Sequence, residues 1–279
     1  MTHLVVGLLG IYCLKEQRLL NDSNFSSIVT YSPTDYKENM LAHRDNKHHS
    51  KWDLESTAVL LHNHFPTHAV IIVRPSKMAL NTFSCYENFA EVNNFGAPTY
   101  ALNIDTLKHL EMLLKNIELA VQQSFRTECD FNSMAMKQKF FDGPIDLIGF
   151  SKGCIVLNQI LYSFSAVINE SDQSLMPFIK KIKNIYWLEG GHSGPSSTWV
   201  TDKSVLKNFC NLKINIHIHV TPYQVLCDSK PRVAKEEKFF RETLQRMGAN
   251  VRRKLHFEKE PRSLDVHFRV LEVFTESVD

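Results

Sequence analysis

Residues 144–164, which read PIDLIGFSKGCIVLNQILYSF, constrain the fold of this chain more than any other stretch. A short apolar run of strand type comes first, the pentapeptide GFSKG (149–153) follows, and apolar residues then recur at helical spacing. The pattern predicts a strand, a sharp turn and a helix. In that setting G-x-S-x-G is typical of the nucleophile elbow of serine hydrolases, in which a strained turn lifts the serine clear of the sheet.

Each position of the pentapeptide has a mechanical reason. Ser151 is the predicted nucleophile. The turn brings neighbouring groups close and so requires small residues on either side of it, which Gly149 and Gly153 supply. The N–H of Lys152, at the start of the helix, is a predicted oxyanion donor. Its side chain is expected either to be solvated or to face an anionic substrate group. A glycine-rich turn used only for packing is the alternative, but it does not explain the serine.

Composition excludes several classes of function. The chain has 279 residues, of which 43% are hydrophobic and 22% charged, and this predicts a single α/β domain over residues 1–279. A net charge of +2 without a basic stripe argues against a nucleic-acid partner. The six cysteines are far apart, and His43, His48 and His49 lack a spacing that converges ligands. We therefore predict no metal, no organic cofactor and a reducing compartment.

The apolar start, residues 1–14, is too short to span a membrane and has no positive residue ahead of it. Its glycines and Val5-Val6 favour a first strand over a targeting segment. No other stretch resembles a span, so we predict no transmembrane segment. Residues 126–143, of mixed polarity, are predicted to form either a lid beside the nucleophile or a variable surface insertion.

Strands alternate with helices along the chain. This order predicts a mostly parallel central sheet with helices on both faces, an α/β-hydrolase-like fold that binds ligands at the carboxyl ends of its strands. The segment between residues 33 and 50 is predicted to be a loop. Predicted strands cover 27–31, 69–73, 145–148, 183–188, 213–220 and 251–257, and predicted helices cover 53–65, 105–125 and 232–247, with others after the pentapeptide and from residue 263.

The predicted catalytic residues follow the chain order serine, acid, histidine that this fold uses. His267, after the last strand, is the predicted general base. Asp228, after the penultimate strand, is the preferred orienting acid, and Glu189, at the end of the strand following the elbow helix, is the alternative. Thr34 is the predicted second oxyanion donor because Pro33 has no N–H. In the simpler interpretation, Asp228 caps a helix and His267 is a packed core residue.

Several stretches together resemble the family of mitochondrial, α/β-hydrolase-like (serine-esterase-like) proteins whose human member is encoded by an open reading frame on chromosome 2. They are GFSKGCIVLNQ (149–159), YWLEGGHSG (186–194), STWVT (197–201), HVTPYQV (219–225) and HFRVLEVF (267–274), extended by FSCYENF (83–89), FGAP (95–98) and KHLEMLLKN (108–116). The resemblance implies Ser151 as nucleophile, His267 as base, an acid after TPYQV and a mitochondrial location. Because no Arg- and Ser-rich presequence is visible, a cytoplasmic location is the alternative.

Two residues depart from the family pattern. Thr34 replaces the glycine of a Pro-Gly-Asp turn, and Glu189 replaces an aspartate before Gly-Gly-His. The first departure weakens the predicted oxyanion hole, since a glycine lets backbone approach a ligand closely. The second weakens Glu189 as an orienting group.

The sequence therefore predicts a serine hydrolase that cleaves an ester, thioester or other acyl bond of a small molecule through an acyl-serine intermediate. The alternative is a non-catalytic α/β-hydrolase-like binding protein with a mitochondrial interaction or regulatory role, to which the threonine at position 34 points. Acyl transfer to an acceptor other than water is a third hypothesis. The sequence identifies no protein partner.

Overall fold

The computed structural model describes residues 3–7, 10–13, 26–79, 83–94, 96–128, 142–170, 173–191, 194 and 196–275, with the backbone alone at 3–7, 10–13 and 124–128. An eight-stranded sheet organises these residues, in the order β12-β11-β10-β9-β3-β4-β1-β2. Its strands are β1 His3–Gly7, β2 Gly10–Cys13, β3 Ser26–Tyr31, β4 His68–Val73, β9 Ile145–Phe150, β10 Ile182–Leu188, β11 Asn215–Val220 and β12 Val251–Leu255. Seven of them are parallel, and β2 is antiparallel at one edge.

Helices cover both faces of this sheet. They are α1 Lys37–Ala42, α2 Leu54–His64, α3 Asp105–Glu128, α4 Cys154–Asn169, α5 Met176–Ile179, α6 Lys203–Asn211, α7 Pro222–Val225, α8 Pro231–Arg246 and α9 Leu264–Val273. Two 3₁₀ segments, Asn46–Trp52 and Ser151–Gly153, complete the helical part. Two short antiparallel pairs lie outside the main sheet: β5 Lys77–Ala79 with β6 Phe83–Cys85, and β7 Glu91–Val92 with β8 Pro98–Thr99.

The sheet separates two hydrophobic clusters. One contains apolar residues of α3, α4, α6 and α8, and the other contains apolar residues of α2 and α9. Because the central strands are buried on both faces, they read as nearly continuous apolar runs rather than as alternating patterns. Among the described helices, the segment Ser151–Asn169 has the length and apolar composition of a membrane span, but 83% of its apolar stretch is buried inside the fold. It is the core helix of this sheet.

The chain reverses its direction across the sheet between β3 and β9. From β3 it moves to β4 on one side, whereas β9, β10, β11 and β12 follow on the other side of β3. The loops that leave the carboxyl ends of β3 and β9 therefore diverge and open a crevice, which is where open α/β sheets bind ligands. Ser151 follows β9 directly and lies at this crevice.

The predicted mostly parallel sheet with flanking helices is confirmed, and so is a strand in the apolar start. The predicted loop between residues 33 and 50 is wrong, because α1 and the first 3₁₀ segment lie there. Neither has a hydrogen bond to its N-cap side chain, which is Tyr36 for α1 and Asp45 for the 3₁₀ segment, so the usual capping contact at a helix start is missing. The predicted lid at 126–143 falls mainly on residues outside the described part of the chain. A single domain over 1–279 stays a prediction.

Three histidines, of which His219 and His256 are buried and His217 is partly buried, form a cluster on β11 and in the segment after β12. His219 Nδ1 and His256 Nε2 are 2.9 Å apart, and His217 and His219 both stack on the ring of Tyr186. The pKa values of His217 and His256 are lowered to about 4 and that of His219 to about 3, in each case mainly by burial. The charges of neighbouring basic groups contribute to these values, above all His256 for His219 and Lys254 for His256. The folded protein therefore holds these histidines neutral at neutral pH.

This cluster predicts that the protein loses stability in mild acid. Below the ordinary pKa of 6.5, histidines of the unfolded chain take up protons that His219 and His256 do not bind in the folded state. The stability that these two neutral histidines contribute is thus fully present above about pH 6.5, and it is lost progressively as the pH falls toward 4. Between pH 7 and 5 we expect urea denaturation to show a loss on the order of 2 kcal/mol or more. In His256→Gln this loss should be smaller, and an unchanged loss would contradict the prediction.

Candidate functional site

The turn at Ser151 has the strained geometry that the sequence predicts. Strand β9 is buried along its whole length, and Ser151 follows it with φ of +51°, in the left-handed region that favours glycine. The 3₁₀ segment and α4 continue directly from it. A non-glycine residue holds such a conformation only where its surroundings impose it, and these residues cluster at functional sites. The predicted strand, sharp turn and helix are all present.

Both glycines of the pentapeptide are required by close packing. A Cβ at Gly149 would lie 2.7 Å from Leu157 Cδ1 and 2.9 Å from Cys154 Cα. A Cβ at Gly153 would overlap the carbonyl oxygen of Tyr31, the last residue of β3. The start of α4 therefore packs against the end of the neighbouring strand at backbone distance, which fixes the turn relative to the crevice.

A buried histidine–glutamate pair lies beside this turn. His267 is in the first turns of α9, whose N-cap Ser263 accepts a hydrogen bond from the N–H of Val266. His267 Nδ1 lies 2.9 Å from Glu189 Oε2, and both side chains are almost completely buried. Glu189 comes directly after β10 and has φ of +56°, so it is also held in the left-handed region. Two elements far apart in sequence thus bring a base and an acid together.

The Glu189 carboxylate is fixed by Thr221, the first residue after β11. The Thr221 N–H donates to Oε1 at 2.6 Å, and the Thr221 hydroxyl donates to Oε2 at 2.8 Å. Because an ionised carboxylate only accepts, the His267 Nδ1–H is the third donor. The other ring nitrogen, Nε2, is then left as a hydrogen-bond acceptor and can take up a proton.

Ser151 and His267 line one cavity of about 390 Å³. Its lining includes Ser151, Lys152, Thr34 and His267 together with apolar side chains such as Phe268. The His267 ring contacts the rings of Phe150 and Tyr223, with centroid distances of 4.9 Å to each. The ring is therefore held at a fixed orientation at the edge of the space in which a ligand would lie.

The loop after β3 is rigid although it has no glycine. The Tyr86 hydroxyl donates to the Ser32 carbonyl oxygen at 2.6 Å, and the hydroxyls of Ser32 and Thr34 are 2.9 Å apart. The next residue, Asp35, accepts two hydrogen bonds from Arg74, at 2.8 and 3.1 Å. Buried Thr34 is thus presented to the cavity by a pinned loop.

The side chain of Lys152 is buried, and the expectation of a solvated lysine is wrong. Its Nζ donates to the Gly96 carbonyl oxygen at 3.4 Å and lies 4.8 Å from the centre of the Phe83 ring. Burial lowers its pKa. Lys152 therefore forms a wall of the cavity together with Phe83.

The structure brings Glu189, and not Asp228, to His267. Asp228 is exposed and outside the lining of the cavity. The intervening helix α7 separates it from the end of β11, where Thr221 contacts the glutamate. Asp228 does not cap α8 either, because the N-cap of that helix is Lys230. Thr221 was not predicted, although a threonine before proline at the end of a strand is a recognisable helix cap.

Metal ligands are not grouped in the described part of the chain, where no set of three or more His, Cys, Asp or Glu side chains is placed to hold an ion. Of the three histidines in the segment before α2, His49 stacks on Phe268 at 4.9 Å and lines the cavity. The four cysteines whose side chains are described are buried and free.

Two solved structures resemble the fold at low sequence identity. The crystal structure of esterase PE8 is 10% identical with a TM-score of 0.40, covering 91% of this chain and 92% of that one. A thermostable esterase is 13% identical with a TM-score of 0.43, covering 91% of this chain and 52% of that one. At this level of similarity they indicate no activity. The order of the sheet strands and the turn at Ser151 by themselves make the fold α/β-hydrolase-like.

Sequence relatives are much closer. The mitochondrial protein C2orf69 homolog of Mus musculus and the mitochondrial protein C2orf69 of Homo sapiens are each 37% identical over 88% of this chain, covering 77% and 74% of their own lengths. The homolog of Danio rerio is 37% identical over 94% of this chain and 76% of its own length. The C2orf69 family model matches residues 14–142 and 120–250. The chain therefore belongs to the C2orf69 family.

Proposed function

We propose that this protein is a serine hydrolase that cleaves an ester, thioester or other acyl bond through an acyl-Ser151 intermediate. One observation carries the proposal: His267, which the buried Glu189 holds by a hydrogen bond, lines the same cavity as the strained Ser151. A nucleophile, a base and an orienting acid at one cavity are the set that covalent acyl transfer requires.

The reaction proceeds in two balanced steps. In the first, Ser151 Oγ bonds to the acyl carbon while its proton passes to His267 Nε2; the bond to the leaving oxygen or sulfur then breaks, and that atom takes the proton. In the second, water gives a proton to His267 and its oxygen bonds to the acyl carbon. The Ser151 ester then breaks, and the proton returns to Oγ.

Glu189 is the acid of the proposed triad, in place of the sequence-based preference for Asp228. Its carboxylate orients the ring so that Nε2 faces outward, and its charge stabilises the imidazolium that forms when His267 takes the proton. The longer side chain of glutamate reaches His267 at 2.9 Å, so the replacement of aspartate by glutamate does not break the contact.

The N–H groups of Lys152 and Thr34 are the proposed oxyanion donors. Both residues line the cavity with Ser151. The Tyr86 and Arg74 contacts hold the loop of Thr34 in place. The Thr34 N–H is therefore fixed in position beside the cavity, although the loop has no glycine that would let its backbone approach the oxyanion closely.

The proposal predicts covalent labelling of Ser151 by a fluorophosphonate probe, which reacts with activated serines. Labelling of the folded wild type, followed by intact-mass spectrometry, should be abolished in Ser151→Ala and slowed by about 10⁴-fold or more in His267→Gln. Ser229→Ala is the matched control, since Ser229 lines the same cavity and should leave labelling unchanged.

The second candidate function, a non-catalytic binding protein, is favoured by the threonine at position 34. It predicts that folded wild type remains unlabelled at any probe concentration that labels a reference esterase, and this result would overturn the hydrolase. The names of the three relatives support a mitochondrial location for this chain as part of the proposal.

A further inference from the structure

The cavity beside Ser151 carries an excess of positive charge. Among the described residues that line it, Lys152, Lys230 and Arg262 are cationic and Asp35 is the carboxylate. The Asp35 charge is compensated by Arg74 through two hydrogen bonds. Cavities lined by one sign of charge raise the local concentration of ligands of the opposite sign. The ligand that fits this cavity is therefore an anion.

Arg262 lies on the same side of the cavity as the proposed base. The ring of Tyr223 contacts both residues, with the Arg262 Cζ 5.9 Å and the His267 ring 4.9 Å from its centre. Lys152 is on another wall, against Phe83 and Gly96. The cations of the cavity thus belong to two distinct places, one of which adjoins His267.

The guanidinium of Arg262 is oriented by backbone carbonyls. Its Nε donates to the Pro222 carbonyl oxygen and its Nη2 donates to the Tyr223 carbonyl oxygen, both at 3.2 Å. A carbonyl fixes the direction of the guanidinium without cancelling its charge, so the charge remains available at the exposed mouth of the cavity. Lys230 lines the same mouth one residue before α8.

The position of the leaving group follows from the chemistry, and this step rests on the proposed function. His267 must return its proton to the leaving oxygen or sulfur, so the leaving group has to lie on the His267 side of Ser151. We propose that the substrate is an ester or thioester whose alcohol or thiol part carries an anionic group, phosphate or carboxylate, that Arg262 and Lys230 bind at the mouth of the cavity.

Protection of Ser151 from the fluorophosphonate tests this without knowledge of the acyl chain. Free coenzyme A supplies a thiol with phosphates, glutathione a thiol with carboxylates, and N-acetylcysteamine a neutral thiol. At least one of the two anionic thiols should halve the labelling rate at a concentration about tenfold or more below that of the neutral thiol. Which of them does so identifies the phosphate or the carboxylate, and added salt should weaken the effect.

Variants of the cationic residues show where the anionic group binds. Arg262→Gln combined with Lys230→Gln should remove the preference for the anionic thiol, whereas Lys235→Gln, an exposed change of the same charge on α8 outside the cavity, should retain it. Equal or absent protection by all three thiols overturns the inference while labelling of Ser151 still supports the hydrolase. Loss of the preference in Lys152→Met but not in the double variant also overturns it. An unlabelled wild type removes the proposed function and the inference with it.

Discussion

Replacing Gly153 by alanine is expected to cost at least about 3 kcal/mol of stability and to leave little folded protein for any assay of activity. The added Cβ would overlap the carbonyl oxygen of Tyr31. Neither atom can turn away, since the oxygen belongs to the backbone at the end of β3 and the Cβ is bonded directly to the backbone Cα just before α4. To relieve the overlap, α4 would have to move away from the sheet against which almost its whole length is buried.

Urea denaturation followed by circular dichroism measures this effect. Gly194→Ala is the matched control, because a Cβ there would meet its nearest atom at 3.7 Å, which is ordinary contact. We expect that change to cost about 1 kcal/mol or less. If Gly153→Ala were as stable as Gly194→Ala, the helix and the strand would not be as tightly packed as described, and the turn at Ser151 would lose its support.

The sequence predicts the turn and the sheet well because their signals are local. The pentapeptide places two glycines where no Cβ fits, and apolar runs identify the parallel strands. The short elements β5, β6, α1 and α7 are not predicted, because segments of three to six residues have too few positions to show the spacing of apolar residues that marks a helix or a strand. Several of these short elements supply cavity walls, so the shape of the site is less predictable than its centre.

The choice of acid shows why a carboxylate cannot be chosen from chain order alone. Asp228 and Glu189 both follow strands, and the order serine, acid, histidine fits each of them. What separates them is the path of the chain after β11, where α7 intervenes and carries Asp228 to the surface. The contact of Glu189 with Thr221 depends on two strands, β10 and β11, that pair side by side although they are far apart in sequence, which no local pattern encodes.

Replacing Glu189 by glutamine is expected to slow the reaction of Ser151 with the fluorophosphonate by about 10³- to 10⁴-fold while the protein stays folded. The amide must place its NH₂ on one of two sites. At the Oε1 site it would face the Thr221 N–H, a backbone donor that cannot turn. At the Oε2 site it faces the Thr221 hydroxyl, which can rotate to accept, and His267 Nδ1.

The second arrangement satisfies the hydrogen bonds but exchanges the donor and acceptor roles of the two ring nitrogens of His267. His267 Nδ1 then accepts from the amide, the ring proton moves to Nε2, and the nitrogen facing the cavity can no longer take a proton from Ser151. Asp228→Asn, the matched change at the exposed carboxylate, should leave the labelling rate within about twofold of wild type. The opposite pattern, with Asp228→Asn slow and Glu189→Gln fast, would return the role of the acid to Asp228. Equal rates in both variants and the wild type would show that neither carboxylate orients the base.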